Sequence, residues 1–427
     1  MIRSRALIGG AAAMTLAALV ACESVRTGAN PDVPLWTHRP NWALEVLFKK
    51  RIVDRSRQEG EPYERGQPEL DPVGRRVFVG SSDRGLYALR AEDGTVLWRF
   101  ETLGFVQCAP LYDPAEDVVY FGANDGALYK VSATNGRLLW RFATNAEVAA
   151  RPVLQQGVLY VVNANDTVLA LKPKDGELIW HQHRTPAMGM EVAGYSGPLV
   201  WRRSVFVGFS DGTVAAFDAA TGAERWPPVD LSAEAEASLG EVPQYLDVDT
   251  TPVPGMVNDV PVVYVGSYAG GVFALDAETG SQVWSNPAVG GVSDLMLWEQ
   301  SPRARRGQKG LDLPGRRVLI AGSGITGLWG LSPDDGREVW RRELPSGGVS
   351  APVPIQGALI VSASKLGVFL VSPVDGGIID GVHTGDGASV KPAVHGRRAF
   401  VVTNHGDLLS MLVTPPGRLP GKSMPRL

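Results

Sequence analysis

The chain has 427 residues, of which 44% are hydrophobic and 20% are charged. This composition is typical of a folded protein with ample material for a core, and the net charge of −4 gives no electrostatic signal of nucleic-acid binding. The length would allow two or three domains, but all-β folds often exceed the usual domain size, and 50 glycines with 31 prolines indicate many turns.

The first 21 residues have the features of a secretory targeting segment. Arg3 and Arg5 give it a positive start, and the apolar run ALIGGAAAMTLAALVA is too short to cross a bilayer comfortably. The run ends in LVAC, which resembles the lipobox of bacterial lipoproteins and implies cleavage before Cys22 and lipidation of that cysteine. The alternative is an ordinary secretory signal with an unrelated cysteine. Glu23 follows, where inner-membrane retention in that family uses Asp, so the resemblance implies the outer membrane.

Residues 22–40 are predicted to form a flexible tether between this segment and the folded protein. With Cys22 acylated, Cys108 is the only remaining thiol, so no intramolecular disulfide is expected. Cys108 lies among apolar neighbours in FVQCAPLY, which predicts a small buried core residue.

A short segment that ends in tryptophan recurs along the rest of the chain. AFDAATGAERW and ALDAETGSQVW are its fullest copies. The copies end at Trp98, Trp140, Trp180, Trp226, Trp284 and Trp340. A seventh copy, LVSPVDGGIID, has Asp380 in place of tryptophan. A period near 40 residues is typical of a solenoid or a propeller.

Each repeat is predicted to form four short strands. In the second repeat these are CAPLYD, VVYFGAN, ALYKVSA and LLWRFAT, and the turns NDG and TNG carry glycines for positive φ. We name these strands A to D in each repeat. Sheets this short and apolar bury both faces only when they stack radially, with the tryptophan of strand D between neighbouring blades.

The last repeat supplies only strands A to C, and NWALEVLFKK near the start has the pattern of a strand D, with Trp42 in the docking position. We therefore expect residues 41–50 to complete an eighth blade. The prediction is an all-β, eight-bladed β-propeller over residues 41–417, closed by an N-terminal strand and followed by a tail at 418–427. Closure leaves no free edge in the ring.

The A-x-D-x-x-T-G-x-x-x-W pattern resembles the repeat of quinoprotein-type propellers. The lipobox, the eight-fold repeat and DVDTTPV at the opening of the fifth blade together resemble the BamB family of outer-membrane assembly lipoproteins. The resemblance implies a non-enzymatic scaffold without a cofactor, anchored by lipid to the outer membrane and facing the periplasm. Its implied partner is a BamA-like outer membrane assembly protein.

The stretch YLDVDTTPV places Asp247 and Asp249 on one side of an extended chain, because side chains alternate along a strand. In a four-stranded meander the B–C and D–A connections share one face. The D–A links at 182–195 and 227–247 therefore emerge on the same face, one blade apart. The first of these links contributes the apolar residues Met188, Met190 and Val192. We expect the two aspartates to lie near them, at the rim and outside the blade core.

The resemblance implies that this patch contacts periplasmic domains of the BamA-like partner. The arginine of the family is not clearly present, since Glu191 or Ala193 falls at its place. Three other interpretations remain open: an acid/base pair, which needs a pocket and perturbed pKa values; a calcium site, which needs further oxygen ligands; and aspartates that cap local amides.

Two further features have less specific patterns. His181 and His183 are two residues apart, as metal ligands on a strand can be, although a solvated pair is the simpler interpretation. The basic run at 301–315 is predicted to be an A–B insertion in blade six, on the opposite face, and either a solvated loop or a contact with anionic lipid.

Two rival functions belong to other classes. A quinoprotein dehydrogenase would hold a quinone and calcium on the propeller axis, but the chain has neither adjacent cysteines nor a C-x-x-C-H motif. A propeller that binds glycans or another envelope component stays open, because fold does not fix function.

Overall fold

The computed structural model describes most of the chain after residue 42. The described residues are 43–57, 63–71, 73, 75–186, 196–233, 236, 245–300, 303–304, 312–313, 315–343 and 347–415. The targeting segment at 1–21, the tether at 22–40 and the tail at 418–427 lie outside them. None of the described helical residues belongs to a helix long and apolar enough to cross a membrane.

The described chain forms eight sheets of four antiparallel strands. Strand β1 (Leu44–Arg51) comes first in the chain but belongs to the last blade, and a 3-10 turn follows it at Arg55–Arg57. Blade 1 contains β2 (Glu69–Leu70), β3 (Arg76–Ser81), β4 (Gly85–Arg90) and β5 (Val96–Glu101). Blade 2 contains β6 (Leu111–Asp113), β7 (Val118–Ala123), β8 (Ala127–Ser132) and β9 (Leu138–Ala143). Blade 3 contains β10 (Val153–Gln155), β11 (Val158–Asn163), β12 (Thr167–Leu171) and β13 (Leu178–His183).

The remaining blades follow the same order. Blade 4 contains β14 (Leu199–Trp201), β15 (Ser204–Gly208), β16 (Thr213–Asp218) and β17 (Glu224–Asp230). Blade 5 contains β18 (Val253–Val257), β19 (Val260–Ser267), β20 (Gly271–Asp276) and β21 (Gln282–Asn286). Blade 6 contains β22 (Val292–Gln300), β25 (Arg316–Ser323), β26 (Gly327–Leu331) and β27 (Glu338–Arg342), with the small pair β23 (Arg303–Ala304) and β24 (Asp312–Leu313) inserted after β22. Blade 7 contains β28 (Val353–Ile355), β29 (Ala358–Ala363), β30 (Gly367–Val371) and β31 (Ile378–His383).

Blade 8 combines both ends of the described chain. It contains β32 (Ala393–His395), β33 (Arg398–Val402), β34 (Asp407–Val413) and β1. The first strands of neighbouring blades contact each other, as β2 does with β6 on one side and with β32 on the other. The ring is therefore closed, with the first strand of each blade nearest the axis. The predicted eight-bladed propeller is confirmed.

The hydrophobic core is divided into layers between neighbouring blades. In one layer, Phe78 of blade 1 packs with Val119 and Phe121 of blade 2, and all three are fully or almost fully buried. Radial stacking thus covers both faces of each sheet, as the short apolar strands predict.

Each recurrent tryptophan docks onto the next blade through its indole N–H. Trp98 Nε1 donates to the backbone carbonyl of Ala133 in the following C–D turn at 2.9 Å. The same bond joins Trp140 to Pro173, Trp180 to Ala219, Trp226 to Ala277, Trp284 to Pro333 and Trp340 to Pro373. The turn glycine Gly136 has φ +70°, and a Cβ there would lie 2.7 Å from the Trp98 ring. The turn geometry and the tryptophan together therefore require glycine in the repeat.

Strand β1 pairs antiparallel with β34, with Leu44 opposite Val413 and Arg51 opposite Asp407. This confirms that an N-terminal strand closes the ring. Trp42, the predicted docking residue, lies outside the described residues.

The register places a different side chain at the docking position of blade 8. Phe48 lies opposite Ser410, as Trp140 lies opposite Lys130 in blade 2. The turn glycine Gly94 packs against Phe48 as Gly136 packs against Trp98. The docking residue of this blade is therefore Phe48, which the sequence pattern missed because its ring has no tryptophan signature.

Candidate functional site

The segment with the two aspartates runs between blades 4 and 5. The Val248 N–H donates to the carbonyl of Phe209 at 3.2 Å, and the buried Val248 side chain packs so closely on Gly208 that a Cβ there would lie 2.3 Å from it. The Thr250 hydroxyl accepts from the N–H of Gly266 at 2.7 Å. The valine and the threonine thus anchor the segment, and the alternation of DVDT directs the aspartates away from them.

Asp247 differs from the expected rim carboxylate, because the residue is only 3% exposed. Its backbone carbonyl accepts from the N–H of Tyr268 at 3.0 Å, which ties the D–A link to the B–C turn of blade 5. Its Oδ2 has no hydrogen-bond partner among the described residues. Burial raises the pKa of Asp247 to about 6, its own amide opposes this rise, and the negative charge of Asp166 adds to it.

Asp249 is partly exposed on the same segment. Burial raises the pKa of Asp249 to about 7, and the nearby charge of Asp247 contributes. The two carboxylates therefore influence each other, as expected for side chains two residues apart on an extended chain. Raised pKa values mean that both groups ionise near neutral pH rather than well below it.

Two further carboxylates, neither predicted from the sequence, belong to the same face. Asp166 in the B–C turn of blade 3 accepts from the Ser210 hydroxyl at 2.5 Å, and burial raises the pKa of Asp166. Asp211 in the B–C turn of blade 4 pairs with Arg184, with Nη2 and Oδ2 3.0 Å apart. We define the acidic cluster as Asp166, Asp211, Asp247 and Asp249. The signal that could have revealed it is the acidic residue in the B–C turns of blades 3 and 4, on the face shared with the D–A links.

Arg184 is a basic group on this face, beside the acidic cluster. It follows strand β13 in the link between blades 3 and 4, and its guanidinium lies 5.3 Å from the centroid of the Phe209 ring. Its Nε is buried without a hydrogen-bond partner among the described residues. The resemblance to the family implies an arginine near residues 191–193, and the structure has an arginine earlier in the same link.

Several predicted site residues belong to segments outside the part of the chain that the structure describes. Met188, Met190, Val192, Glu191, Ala193 and Cys22 lie outside the described residues. Their roles therefore remain predictions.

The histidine pair is exposed at the end of β13. Nδ1 of His183 lies 3.1 Å from the Thr167 hydroxyl. In the part of the chain that the structure describes, no three His, Cys, Asp or Glu side chains are grouped to hold a metal ion. The geometry gives no support to a metal site at His181 and His183.

Cys108 is buried, and its thiol donates to the carbonyl of Ala150 at 3.1 Å. Burial raises the pKa of Cys108 to about 12, which disfavours the reactive thiolate. The prediction of a core residue is confirmed.

The basic run is inserted between β22 and β25, the first two strands of blade 6. This is the predicted A–B position, on the face opposite the acidic cluster. The described residues of the run are the short pair β23 and β24 and Gly315.

Comparison with known proteins gives the family. The family described as outer membrane protein assembly factor BamB matches residues 113–297 and 293–412. BamB of Yersinia pestis is 28% identical over 325 residues, which is 69% of each chain. BamB of Legionella pneumophila (strain Paris) is 27% identical over 233 residues, so the match spans only about half (54%) of the length of that relative.

Two other similarities define the fold and its wider relatives. The crystal structure of BamB from Moraxella catarrhalis superposes with a TM-score of 0.64 at 18% identity, over 86% of this chain and 99% of that one, which shows the shared fold alone. Quinohemoprotein alcohol dehydrogenase ADH-IIG of Pseudomonas putida is 33% identical over 147 residues, which is 32% of this chain and 19% of the enzyme. That similarity is local, whereas the BamB match covers most of the propeller. The chain belongs to the family of outer membrane protein assembly factor BamB.

Proposed function

We propose that this chain is a non-enzymatic scaffold for the assembly of outer-membrane β-barrel proteins, and that it docks the periplasmic domains of a BamA-like core subunit. Family membership supports the assembly role, since the relatives are named as outer membrane protein assembly factors. The acidic cluster supports the docking face. We assign the apolar residues Met188, Met190 and Val192 to the same face.

The observation that carries the docking proposal is the side chain of Asp247. The carboxylate of a residue that is only 3% exposed, with one oxygen unpartnered among the described residues, is costly to ionise. A cationic side chain from a partner would remove that cost and would also attract Asp249. Charge pairing of this kind gives an interface its orientation and accelerates association.

The test is binding of purified variants to the periplasmic domains of the BamA-like protein. Asp247→Asn with Asp249→Asn preserves shape while removing two charges, so we expect at least about tenfold weaker binding, with the largest loss at low ionic strength. Adding Met190→Ala is expected to weaken binding further. Asp375→Asn, in a C–D turn on the opposite face, is the matched control. Unchanged binding by a folded triple variant would reject this face as the docking site.

We also propose that the lipid anchor is attached at Cys22 and holds the protein on the periplasmic side of the outer membrane. The support is the lipobox sequence alone. Cys22→Ala is expected to abolish incorporation of a labelled fatty acid and to leave the protein soluble or with its signal uncleaved. Label that persists on this variant would contradict the assignment.

A further inference from the structure

In the contact between blades 7 and 8, the hydrogen bond runs in the opposite direction to that of the tryptophan contacts. The side chain at the docking position accepts instead of donating. Asp380 lies opposite Leu370 in the register, as Trp340 lies opposite Gly330 in blade 6. An acceptor thus occupies the position at which six other blades present an indole N–H donor.

The Asp380 carboxylate accepts two hydrogen bonds at the beginning of β1. Its Oδ2 lies 2.8 Å from the backbone nitrogen of Ala43 and 2.9 Å from that of Leu44. These bonds join residues 337 and 336 positions apart in the chain. Its Oδ1 accepts from the N–H of Gly381 at 2.9 Å.

The composite construction of blade 8 explains this reversal. In blades 2 to 7 strands C and D are joined by a turn, and a carbonyl of that turn accepts from the tryptophan of the preceding blade. In blade 8, strand C is β34 and strand D is β1, so no turn joins them. The corresponding carbonyl, that of Val413, accepts from Arg397 Nε at 3.0 Å.

The start of β1 instead presents two amide donors to blade 7. A tryptophan at position 380 would place its indole N–H, a third donor, against these two donors. A carboxylate is an acceptor only, and its bonds to N–H groups are strengthened by its charge.

We propose that Asp380 is a positioning residue that fixes the start of the ring-closing strand, and that its departure from the repeat is a specific requirement of closure. Residue 43 is also where the predicted lipidated tether joins the propeller, so this contact would bear any pull from the membrane. That last consequence rests on the proposed function, whereas the contact itself does not.

Hydrogen exchange of the purified full chain, followed by mass spectrometry of peptides that cover β1, tests the proposal. Asp380→Ala is expected to accelerate exchange in β1 by about tenfold or more, with peptides from blade 3 unchanged. Asp380→Asn is expected to give a smaller effect, because its amide oxygen still accepts. Asp380→Trp, which restores the repeat, is expected to accelerate β1 exchange as much as Asp380→Ala does.

Asp375→Ala is the matched control, since Asp375 is an exposed carboxylate of the same blade that bonds locally, to the N–H of Gly377 and to Ser372, and makes no described bond to β1. It should leave β1 protected. If β1 is as well protected from exchange in Asp380→Trp as in the wild type, the proposal is overturned. Packing of the side chain at position 380 would then be enough to hold β1 in place. Equal acceleration of all peptides in both Asp380→Ala and Asp380→Asn would also overturn it, because the effect would not be local to closure.

Discussion

At the scale of single residues, the aspartates of DVDTTP act against the stability of the fold. Asp247 and Asp249 have folded-state pKa values of about 6 and about 7, above the value near 4 of an unfolded aspartate. The folded state therefore binds protons more tightly than the unfolded state. Stability is highest when both groups are protonated and falls as pH rises from about 4 to about 7. Groups that cost stability are expected where function requires them.

Asp247→Asn with Asp249→Asn is therefore expected to stabilise the protein at pH 8. At about 1.4 kcal/mol per pKa unit, the shifts to about 6 and about 7 limit the gain to several kcal/mol, and the gain should vanish towards pH 4, where the wild-type carboxylates are protonated too. Thermal melts across this range measure it.

Asp375→Asn is expected to have the opposite effect on stability, because a hydrogen bond from Ser372 lowers the pKa of Asp375. This variant should lose stability at pH 8 rather than gain it. A double variant that melts below the wild type at pH 8 would show that Asp247 and Asp249 stabilise their own backbone, which is the capping interpretation.

At the scale of strands, β1 is the element on which closure depends. It forms the whole outer edge of blade 8 through its ladder with β34, and Arg51 bonds Asp407 with Nε and Oδ1 2.5 Å apart. Deleting residues 41–50 is expected to lower the melting temperature by about ten degrees or more, since it removes this ladder and exposes a free edge. Deleting residues 23–35 should change it little. Equal melting of the two deletions would contradict the role of β1.

The contact of blade 8 with blade 1 shows how a donor is replaced when tryptophan is absent. Phe48 fills the docking position without a polar hydrogen. The carbonyl of Ala91, equivalent to that of Ala133 in the next blade, accepts instead from Arg398 Nη2 at 2.7 Å. The hydrogen bond is thus kept while the residue that supplies it moves to another strand, as expected if a buried carbonyl must be satisfied.

At the scale of the whole molecule, docking should depend on pH through the acidic cluster. Below pH 6 the carboxylates of Asp247 and Asp249 are largely protonated and attract a cation less. We expect binding to the periplasmic domains of the BamA-like partner to weaken by about tenfold between pH 8 and pH 5.5. The variant with Asp247→Asn and Asp249→Asn should lose most of this pH dependence. Titrations at both pH values measure it, and wild-type binding that does not change with pH would contradict it.

The sequence by itself determined the architecture. The spacing of the Trp-terminated repeats, the turn glycines and the three-stranded last repeat were enough for eight blades and for closure by an N-terminal strand. These features are local and periodic, and each repeat predicts the same four strands. The architecture could therefore be predicted without knowing which residues are in contact.

Only the tertiary structure decided the chemistry of the contacts between blades. The burial of Asp247, the approach of Asp166 from another blade and the bonds of Asp380 to Ala43 and Leu44 join residues far apart in the chain. Periodicity predicts to which side a side chain points, but burial and partners depend on what the neighbouring blade places there. The repeat predicted tryptophan at position 380, and closure by the opposite end of the chain is the physical reason that aspartate stands there.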